Sequence, residues 1–505
     1  MADIILVFPR TGYGDFFIKD PPLSLLYASS KAIRDGFSVE IVDQRDCYEN
    51  WKEILQNKLK TRPLIVGISV MTGRPIHYAI EISNFVRKVA PKTAIVWGGH
   101  HPTILPEVTL DNPFVDFLVR GAGSIPLAAL AEVLRSGSRR YGDIPGLSYK
   151  RNGNLIHDKD IISCEEISFE DIPYHLVNMT TYNRLGNKNI FVLITSLGCP
   201  HDCSFCYAPV IYHNRCWIAY PPEKVIAHMQ MAIDRFGTKS MSIIDDDFFV
   251  DINRARNIFK LIQEKKWNVT FQFRGVRVDE IDRMSDGMLS LMEEIGVRHI
   301  MIGAESGSDH TLRLMNKGIT VEQIIRVNRK LKKHHRITPM YNLLTGVPNE
   351  TLSDMKKTVD LMQQLVMENK HCEISMLEHF MPLPGTRLFS VAKEKGFKEP
   401  ETLELWGKFE SETRADYCPW INCKQLRFIR IMQVASLFID DKIACEIKSK
   451  RFIFKIIIGM AFFYKFIARL RVKYHITVLP VEYYLLKRCN IILERMFSRP
   501  FRLLE

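Results

Sequence analysis

Three cysteines stand close together in the stretch SLGCPHDCSFCYAP, which covers residues 196–209. They lie between Gly198 and Tyr207 with the spacing C-x3-C-x2-C, and they are Cys199, Cys203 and Cys206. Thiolates are soft ligands that select zinc or iron–sulfur clusters. Because three of them on one short loop can converge on a single centre, the sequence predicts a metal site here.

The kind of metal centre depends on how many cysteines take part. A structural zinc site uses four ligands, usually from two C-x-x-C pairs, whereas this loop supplies three. Cys216 follows ten residues after Cys206 and could be the fourth, so zinc stays an alternative, as do thiols that are merely buried. A 4Fe-4S cluster on three cysteines would instead leave one iron open for a substrate or cofactor.

The cysteine count also indicates a compartment. The chain has 11 cysteines, an odd number, and no signal peptide is predicted at its N-terminus. This combination argues against a disulfide framework and favours reduced thiols, which are available as metal ligands. We therefore expect a cytoplasmic location.

The cysteine loop follows a strand in a region where predicted strands and helices alternate. Helical segments are predicted at 222–236, 251–266, 285–295, 320–335 and 351–369. The strands between them are predicted at 190–196, 240–248, 270–275, 299–306, 339–346 and 372–382. Six such βα units predict a partial (β/α)6 barrel, and the functional groups of barrels lie at the carboxyl ends of the strands.

An earlier alternation of strands and helices occupies the first part of the chain. Helices are predicted at 23–36 and 76–90, and strands at 3–8, 38–43, 64–70, 93–99 and 115–121. This order predicts a doubly wound, Rossmann-like parallel sheet, which binds ligands at the carboxyl ends of its strands. Those ends read DQRD, SVMTG, GGHHPT and RGAGS.

The α/β chain of 505 residues is long enough for several domains, and its 46% apolar content is normal for a globular protein. Residues 1–140 are assigned to the doubly wound domain and 190–395 to the barrel. A polar linker is predicted at 141–189, with a hairpin around Asn152-Gly153. Residues 396–505 are predicted to form a mainly helical, basic segment.

Positive charge is concentrated at the end of the chain. Residues 448–505 contain 13 lysines and arginines against 3 acidic residues, which accounts for +10 of the total formal charge of +12. The rest of the chain is close to neutral. A general nucleic-acid-binding surface is therefore not expected, and nucleic acid is not predicted as a partner.

The basic segment 448–475 is too often interrupted by charges to cross a bilayer. Its longest uncharged run, 456–464, has nine residues, against about 20 for a transmembrane helix. As a helix it would carry an apolar face of Phe452, Ile456, Met460, Phe463 and Ile467. A basic face would hold Lys448, Arg451, Lys455, Lys465, Arg469 and Lys473. Such a helix either packs on the barrel or lies in a membrane interface.

Several motifs of the second half resemble those of one enzyme family. The stretch CPHDCSFCY resembles the cluster motif of the radical S-adenosylmethionine (SAM) superfamily. In the same order, IIDDDF, FRGVRVD, IGAESGSDHTLRLMNKGIT, LLTGVPNET and MPLPGTRLF resemble the ends of the second to sixth barrel strands of that family. The resemblance covers about 190–395.

The resemblance implies specific cofactor ligands. A 4Fe-4S cluster would be held by the three cysteines, and its reduction would cleave SAM to a 5′-deoxyadenosyl radical. Strand alternation places Asp245 and Asp247 on one face and Asp246 on the other, so all three cannot bind SAM. The implied SAM-binding residues are Tyr207, Asp245, Asp247, Arg274, Glu305, Ser306 and Gly346.

Segment 64–135 resembles the cobalamin-binding domain that precedes many radical SAM barrels. The D-x-H-x-x-G motif that supplies a cobalt-ligating histidine in other cobalamin proteins is absent from the sequence. The family usually has G-E-G-E where this chain has Gly121-Ala122-Gly123-Ser124, so a vestigial domain stays an alternative. The residues implied near the corrin and its nucleotide tail are Ser69, Thr72, Gly98, Gly99, His100, Gly121 and Gly123.

The resemblance implies a cobalamin-dependent radical SAM enzyme. The favoured activity is methyl transfer to an unactivated carbon of a hydrophobic or natural-product-type substrate. A cyclase or rearrangement enzyme that transfers no methyl group is the first alternative, and a non-enzymatic sensor is the second. The expected partners are a small-molecule or lipid substrate and an electron donor such as flavodoxin or ferredoxin, with membrane-surface contact by the tail as an option.

Overall fold

The computed structural model describes residues 2–12, 15, 18–158, 161–184, 187–212, 215–409, 417–440, 464–485 and 488. It has two α/β bodies in succession, followed by helices. This is the predicted class of fold.

A seven-stranded sheet forms the first body, with the order β3-β1-β4-β5-β6-β7-β8. Its first five strands are parallel. The strands up to the hairpin are β1 (Ile4–Phe8), β2 (Ile18–Lys19, outside this sheet), β3 (Val39–Asp43), β4 (Ile65–Ser69), β5 (Ala94–Gly98), β6 (Phe117–Val119), β7 (Leu147–Arg151) and β8 (Asn154–His157). The helices are α1 (Leu23–Arg34), α2 (Trp51–Leu59), α3 (Arg74–Val89), α4 (His100–Ile104), α5 (Pro106–Asp111) and α6 (Ser124–Arg135).

Both faces of this sheet are buried, which explains its continuous apolar strands. Along β1, Ile5 and Val7 join a core with α2 and α3, whereas Ile4 and Leu6 join a core with α1 and α6. The sheet is doubly wound as predicted, and its parallel strands end at one edge.

The hairpin of β7 and β8 extends this sheet beyond the predicted boundary near 140. Its turn residues Asn152 and Gly153 both have positive φ, 53° and 81°, as a two-residue hairpin turn requires. Because β7 pairs antiparallel with β6, the first part of the predicted linker covers an open sheet edge.

The rest of the linker packs on the second body. Phe169 and Tyr174 are buried in the barrel core. Short strands follow: β9 (Asn183–Arg184), β10 (Asn187–Lys188), β11 (Ile190–Leu193), β12 (Ser196–Gly198) and β13 (Trp217–Ala219), with α7 (Ala208–Ile211) before the last. Strand β9 pairs with β2 of the first body, so the linker is tied to both bodies.

The second body is the predicted partial barrel. Its parallel strands run in the order β11-β14-β15-β16-β17-β18, with β19 beside β17. They are β14 (Ser240–Ile243), β15 (Thr270–Arg277), β16 (Val297–Glu305), β17 (Thr338–Thr345), β18 (Glu373–Ile374) and β19 (Glu378–His379). The helices are α8 (Pro222–Phe236), α9 (Ile252–Lys265), α10 (Val278–Arg283), α11 (Asp286–Glu294), α12 (Asp309–Leu314), α13 (Val321–Leu331), α14 (Leu352–Glu368) and α15 (Arg387–Glu394).

The C-terminal segment is mainly helical and contacts both bodies. It contains α16 (Leu403–Trp406) and α17 (Cys423–Ser436), and residues 464–474 and 481–485 are also helical. Trp406 packs in the first body's core, whereas Phe428 and Met432 of α17 pack against the barrel.

The predicted basic helix 448–475 is described only in part, because residues 448–463 lie outside the described residues. Among the described residues, no helix has both the length and the apolar character that crossing a bilayer requires.

Candidate active site

The cysteine loop connects β12 to α7 at the mouth of the barrel. Gly198 has a φ of 85°, and a Cβ there would collide with the carbonyl oxygen of Cys216. Only glycine fits this turn without strain. The thiols of Cys199, Cys203 and Cys206 are close enough that a charge on one raises the pKa of a neighbour.

Burial keeps two of these cysteines protonated in the absence of a metal. It raises the pKa of Cys199 to about 12 and that of Cys206 to about 11. Binding of a cation must therefore displace the protons, which is how thiolate metal sites form. A buried set of three soft donors on one loop fits an iron–sulfur cluster.

Cys216 lies beside a different thiol. It hydrogen-bonds Cys164, a residue of the linker, and burial together with this contact raises the pKa of Cys164. The Cys216 thiol therefore has Cys164 as its partner, while the Cys216 backbone packs on Gly198 at the start of the loop. Among the cysteines that the structure describes, the loop itself therefore supplies three.

Two cations flank the cysteine loop, and sequence analysis missed both. The Arg277 Nη1 lies 3.6 Å from the Cys203 Sγ, and Nη2 donates to the carbonyl oxygen of Lys317 at 2.7 Å. Lys317 is buried and pairs with Glu305 at 2.8 Å. Burial lowers the pKa of Lys317, but the charges of Glu305 and Cys203 outweigh it and the pKa is raised.

Glu305 lies at the carboxyl end of β16, where the sequence placed it. Its φ is 64°, in the left-handed region, and such strain in a non-glycine residue often marks a functional site. Gly303 makes room for the ion pair, since a Cβ there would lie 2.7 Å from the Lys317 Nζ.

Ser306 does not face the same space as Glu305. It is fully buried, its hydroxyl lies 2.9 Å from that of Thr358, and it accepts from the Ser308 backbone N–H. Ser306 therefore holds the turn after β16, and its contact with SAM stays a prediction.

The acidic residues that follow β14 have two different roles. Asp245 accepts three hydrogen bonds of 2.6 Å, from the Thr195 N–H and the hydroxyls of Thr195 and Ser196. Burial raises its pKa to about 6 although these bonds oppose the shift. Asp245 therefore anchors the β11–β12 turn, and its contact with SAM stays a prediction.

Asp247 instead faces the cysteine loop. Its Oδ2 lies 3.2 Å from the Nε2 of His201, a residue between two of the cysteines. Glu280 of α10 completes the group, with ligand atoms of all three residues within 4.8 Å of one another. Burial, followed by the charge of Asp247, raises the pKa of Glu280 to about 9, so Glu280 holds a proton at neutral pH.

Arg274 does not reach this group. It forms an ion pair of 2.8 Å with Asp20 of the first body and also donates to the Ser242 hydroxyl. Arg274 and Arg277 stand three positions apart on β15, and the strand is irregular between Phe273 and Val276. Arg277 thus lies by the cysteines, whereas Arg274 joins the two bodies, and contact of Arg274 with SAM stays a prediction.

Gly346 ends β17 in a tight turn with a φ of 88°. Its N–H donates to Glu350, and its carbonyl oxygen accepts from the Trp420 indole at 3.0 Å. A Cβ at this position would lie 2.6 Å from the His379 ring. The turn requires glycine, and contact with the adenine of SAM stays a prediction.

A cavity opens at the carboxyl edge of the first sheet. Its walls are apolar where Leu6, Val96 and Leu127 line it. Five of the seven residues predicted near cobalamin border it: Ser69, Gly98, Gly99, Gly121 and Gly123. Glycines at strand ends let the backbone approach a large ligand, so this cradle fits the aromatic tail of cobalamin.

The other two predicted residues, Thr72 and His100, lie where the first body meets the cysteine loop. The His100 ring packs 5.8 Å from the ring of Tyr207, and the Tyr207 hydroxyl contacts Thr72. The Thr72 hydroxyl also lies 3.2 Å from the His101 Nδ1. Burial lowers the pKa of His100, and it lowers that of His101 to about 3, so both are neutral.

A carboxylate that the sequence did not reveal reaches the Gly121–Ser124 turn. Glu165 of the linker hydrogen-bonds the Ser124 hydroxyl and the backbone N–H groups of Ser124 and Ile125. These contacts lower its pKa, whereas burial, the largest effect, raises it. Glu165 thus brings negative charge to the N-terminus of α6, next to the position where this chain lacks the acids of the G-E-G-E motif.

The matches to known protein families fall in the same two parts of the chain, the first body and the barrel. Residues 193–362 match the family model of the radical SAM superfamily, and residues 20–131 match that of the B12 binding domain. The first match contains the cysteine loop, and the second contains the glycine-lined cavity.

Individual relatives share both parts. The chain is 28% identical over 374 residues to an uncharacterized methyltransferase of Pyrococcus horikoshii, covering 74% of this chain and 78% of that protein. It is 24% identical over 439 residues to the anaerobic magnesium-protoporphyrin IX monomethyl ester cyclase of Synechocystis sp., covering 86% and 85%. The solved structure of the cobalamin-dependent SAM radical enzyme OxsB matches with a TM-score of 0.69 at 18% identity, covering 99% of this chain and 76% of that chain.

A glycine-lined sheet edge joined to a three-cysteine barrel defines an enzyme that works with radicals and cobalamin. The chain contains a radical SAM domain and carries a B12 binding domain ahead of it. Its cofactors are a 4Fe-4S cluster, SAM and cobalamin, and the residues described above fit all three.

Proposed function

We propose that this enzyme transfers a methyl group from SAM, by way of cobalamin, to an unactivated carbon of a hydrophobic small molecule. The contact of His100 with Tyr207 is the observation that carries the proposal. Through this contact the cavity edge of the first body meets the cysteine loop of the barrel. When bound, the cluster and SAM supply a hydrogen-abstracting radical and cobalamin supplies a methyl carrier.

Residues of this chain have separate tasks in that site. Cys199, Cys203 and Cys206 hold the cluster. Asp247 offers a carboxylate to the SAM ammonium group, while Arg277 offers a guanidinium to the SAM carboxylate. Glu305 stands beside the SAM ribose, held in place by Lys317.

The activities of the relatives support methyl transfer first. The Pyrococcus relative is a methyltransferase, whereas the Synechocystis relative is a cyclase. The cyclase covers more of this chain, so ring formation without methyl transfer is the second candidate. The two relatives do not identify the substrate of this chain, which must be determined by experiment.

The proposal includes the setting in which the enzyme works. A small molecule or lipid is the substrate, and an electron donor such as flavodoxin or ferredoxin reduces the cluster. A hydrophobic substrate is concentrated in bilayers, so the proposed location is the cytoplasm, with peripheral contact at the inner face of the membrane.

The test is anaerobic reconstitution of the enzyme with cluster, cobalamin and reductant, followed by incubation with methyl-labelled SAM and a lysate extract. Mass spectrometry should show a new product that carries the label, together with 5′-deoxyadenosine. A new product without the label would select the cyclase instead. Absence of any SAM cleavage would refute the assigned activity.

A further inference from the structure

Exposed apolar side chains are concentrated near the end of the described chain. Leu479 is 75% exposed, Phe466 67% and Val478 62%. Elsewhere among the described residues, exposed large apolar side chains are scattered singly, as at Val89 and Leu155. We call the concentrated set the C-terminal patch: Phe466, Tyr474, Ile476, Val478, Leu479, Val481, Tyr484 and Leu485.

The loop at the centre of the patch is fixed in its conformation by hydrogen bonds from its buried side. The buried guanidinium of Arg471 donates to the carbonyl oxygens of Ile476, Val478 and Leu479 at 2.8 to 3.0 Å. The same guanidinium pairs with Glu482 at 2.6 Å. Because the backbone is fixed inward, the apolar side chains of the loop are presented outward.

Charge around the patch is mostly positive, with Asp360 of α14, which pairs with His475 at 2.8 Å, as an acid at its edge. Arg469, Lys473 and Arg488 are exposed on the same segment. Glu482 is the one acidic residue in the sequence 464–488. Its carboxylate is paired with Arg471 and also accepts a hydrogen bond from the Tyr464 hydroxyl at 3.1 Å. No free acid within 464–488 therefore opposes an anionic surface.

We propose that the C-terminal patch docks on an anionic lipid surface, with the loop 476–480 inserted among the acyl chains. Aliphatic side chains at the tip, tyrosines at the flanks and cations at the rim match the layers of a membrane interface. Basic residues near such a surface each strengthen binding about fivefold. The inference rests on the peripheral location in the proposed function, and it gives that location a defined contact.

A nucleic acid would use the cations but not the aliphatic tip, and a second copy of this chain would bring its own cations against them. The charge pattern therefore favours lipid over either partner.

Vesicle co-sedimentation of the full-length protein tests the docking. Vesicles of phosphatidylcholine alone are compared with vesicles that also contain phosphatidylserine, at low and high salt. The wild type should bind the anionic vesicles, and raised salt should weaken binding because exposed charges are screened. The double variant Arg469→Glu, Lys473→Glu should bind more than about tenfold more weakly.

The variant Val478→Asp, Leu479→Asp should lose binding even at low salt, since the apolar tip is removed. The matched control Val89→Asp, Leu155→Asp changes exposed apolar residues elsewhere and should bind like the wild type. Equal binding of all variants would overturn the proposal. Association of the protein in the absence of lipid, abolished by Leu479→Asp, would also overturn it and assign the patch to a dimer.

A failure of the lipid-docking proposal can be distinguished from a failure of the proposed function. Vesicle binding needs no SAM, cobalamin or substrate, whereas SAM cleavage needs no vesicle. The Val478→Asp, Leu479→Asp variant should therefore keep the wild-type yield of 5′-deoxyadenosine in solution.

Discussion

Single residues around Cys203 set the charge that the cluster would meet. Arg277 lies within 3.6 Å of its sulfur, and Lys317 is fixed nearby by Glu305. A cluster with three thiolates becomes more negative when it is reduced. Buried cations beside it should therefore favour the reduced state, because they are poorly screened by solvent.

Replacement of Lys317 by Met should consequently lower the midpoint potential of the cluster. A loss of ~1.4 kcal/mol of charge interaction corresponds to about 60 mV for one electron. A redox titration followed by electron paramagnetic resonance measures the shift, and Lys330→Met, a half-buried lysine bonded to the α10 backbone, is the control. An unchanged potential in Lys317→Met would show that this charge does not act on the cluster.

The cysteine assignment makes a second residue-level prediction. Cys199→Ala, Cys203→Ala and Cys206→Ala should each lose bound iron and SAM cleavage, since each removes one of only three ligands. Cys216→Ala should keep both, because its thiol contacts Cys164 instead. Iron and sulfide analysis of the reconstituted variants checks this, and loss of the cluster in Cys216→Ala would refute the ligand set.

His101 should make stability depend on pH. Its folded pKa of about 3 lies below the usual value of 6.5, so its contribution is complete above pH 6.5 and is lost as pH falls. Each unit below 6.5 should cost ~1.4 kcal/mol of unfolding free energy. Denaturation at pH 7 and pH 5 should show the wild type losing more stability than His101→Gln, and parallel losses would contradict the burial of a neutral ring.

Sequence analysis could identify residues whose role follows from local spacing. The cysteines and Glu305 lie where their motifs placed them. Arg274 and Arg277 could not be ranked, because the partners that they reach, Asp20 and Cys203, come from other elements. The hydrogen bonds of Asp245 and Ser306 could not be predicted, since their partners, Thr195 and Thr358, come from other elements.

At the scale of elements, the α6 N-terminus shows how this chain accommodates an altered motif. Gly121 keeps a φ of 78°, and a Cβ there would collide with the carbonyl oxygen of Ile162. The linker therefore lies against the turn. Glu165 follows Ile162 within the same linker segment. A carboxylate near a helix N-terminus stabilises it through the unpaired N–H groups.

Glu165→Gln should therefore lower the unfolding free energy by ~1 kcal/mol and weaken cobalamin binding at the adjacent cavity. Glu166→Gln is the matched control, since Glu166 makes only an exposed ion pair with Lys224 at 3.2 Å. Chemical denaturation and cobalamin titration by absorbance provide the two readouts. Equal behaviour of the two variants would remove Glu165 from this role.

Helices and strands were the most predictable part of the molecule. Apolar periodicity placed α8, α9 and α14 within a residue or so of their observed bounds, because each has a strong buried face. The β7–β8 hairpin was also visible from Asn152-Gly153. Its pairing with β6 was not, since sheet membership depends on an open edge elsewhere in the chain.

At the scale of the whole molecule, the two bodies are joined at the site itself. The Arg274–Asp20 ion pair and the His100–Tyr207 contact both cross from the first body to the barrel. The C-terminal segment adds Trp406, which packs its ring 5.6 Å from that of His101. Such contacts join residues far apart in sequence, so motif spacing could predict the two bodies but not how they meet.

This arrangement predicts that the two cofactor sites can be uncoupled by filling the cavity. Gly98→Val should be tolerated by the backbone, since a Cβ there is 3.5 Å from its nearest neighbour, the Val119 carbonyl oxygen. Its larger side chain would occupy the space that cobalamin needs. Gly142→Val, where a Cβ meets open space, is the matched control.

The most direct measurement is the ratio of transferred methyl label to 5′-deoxyadenosine, taken with methyl-labelled SAM for the wild type, Gly98→Val, Gly142→Val and Cys203→Ala. The wild type and Gly142→Val should give both products. Gly98→Val should give 5′-deoxyadenosine without transferred label, and Cys203→Ala should give neither. A wild-type enzyme that forms product without label, unaffected by Gly98→Val or by omission of cobalamin, would contradict methyl transfer through the first body.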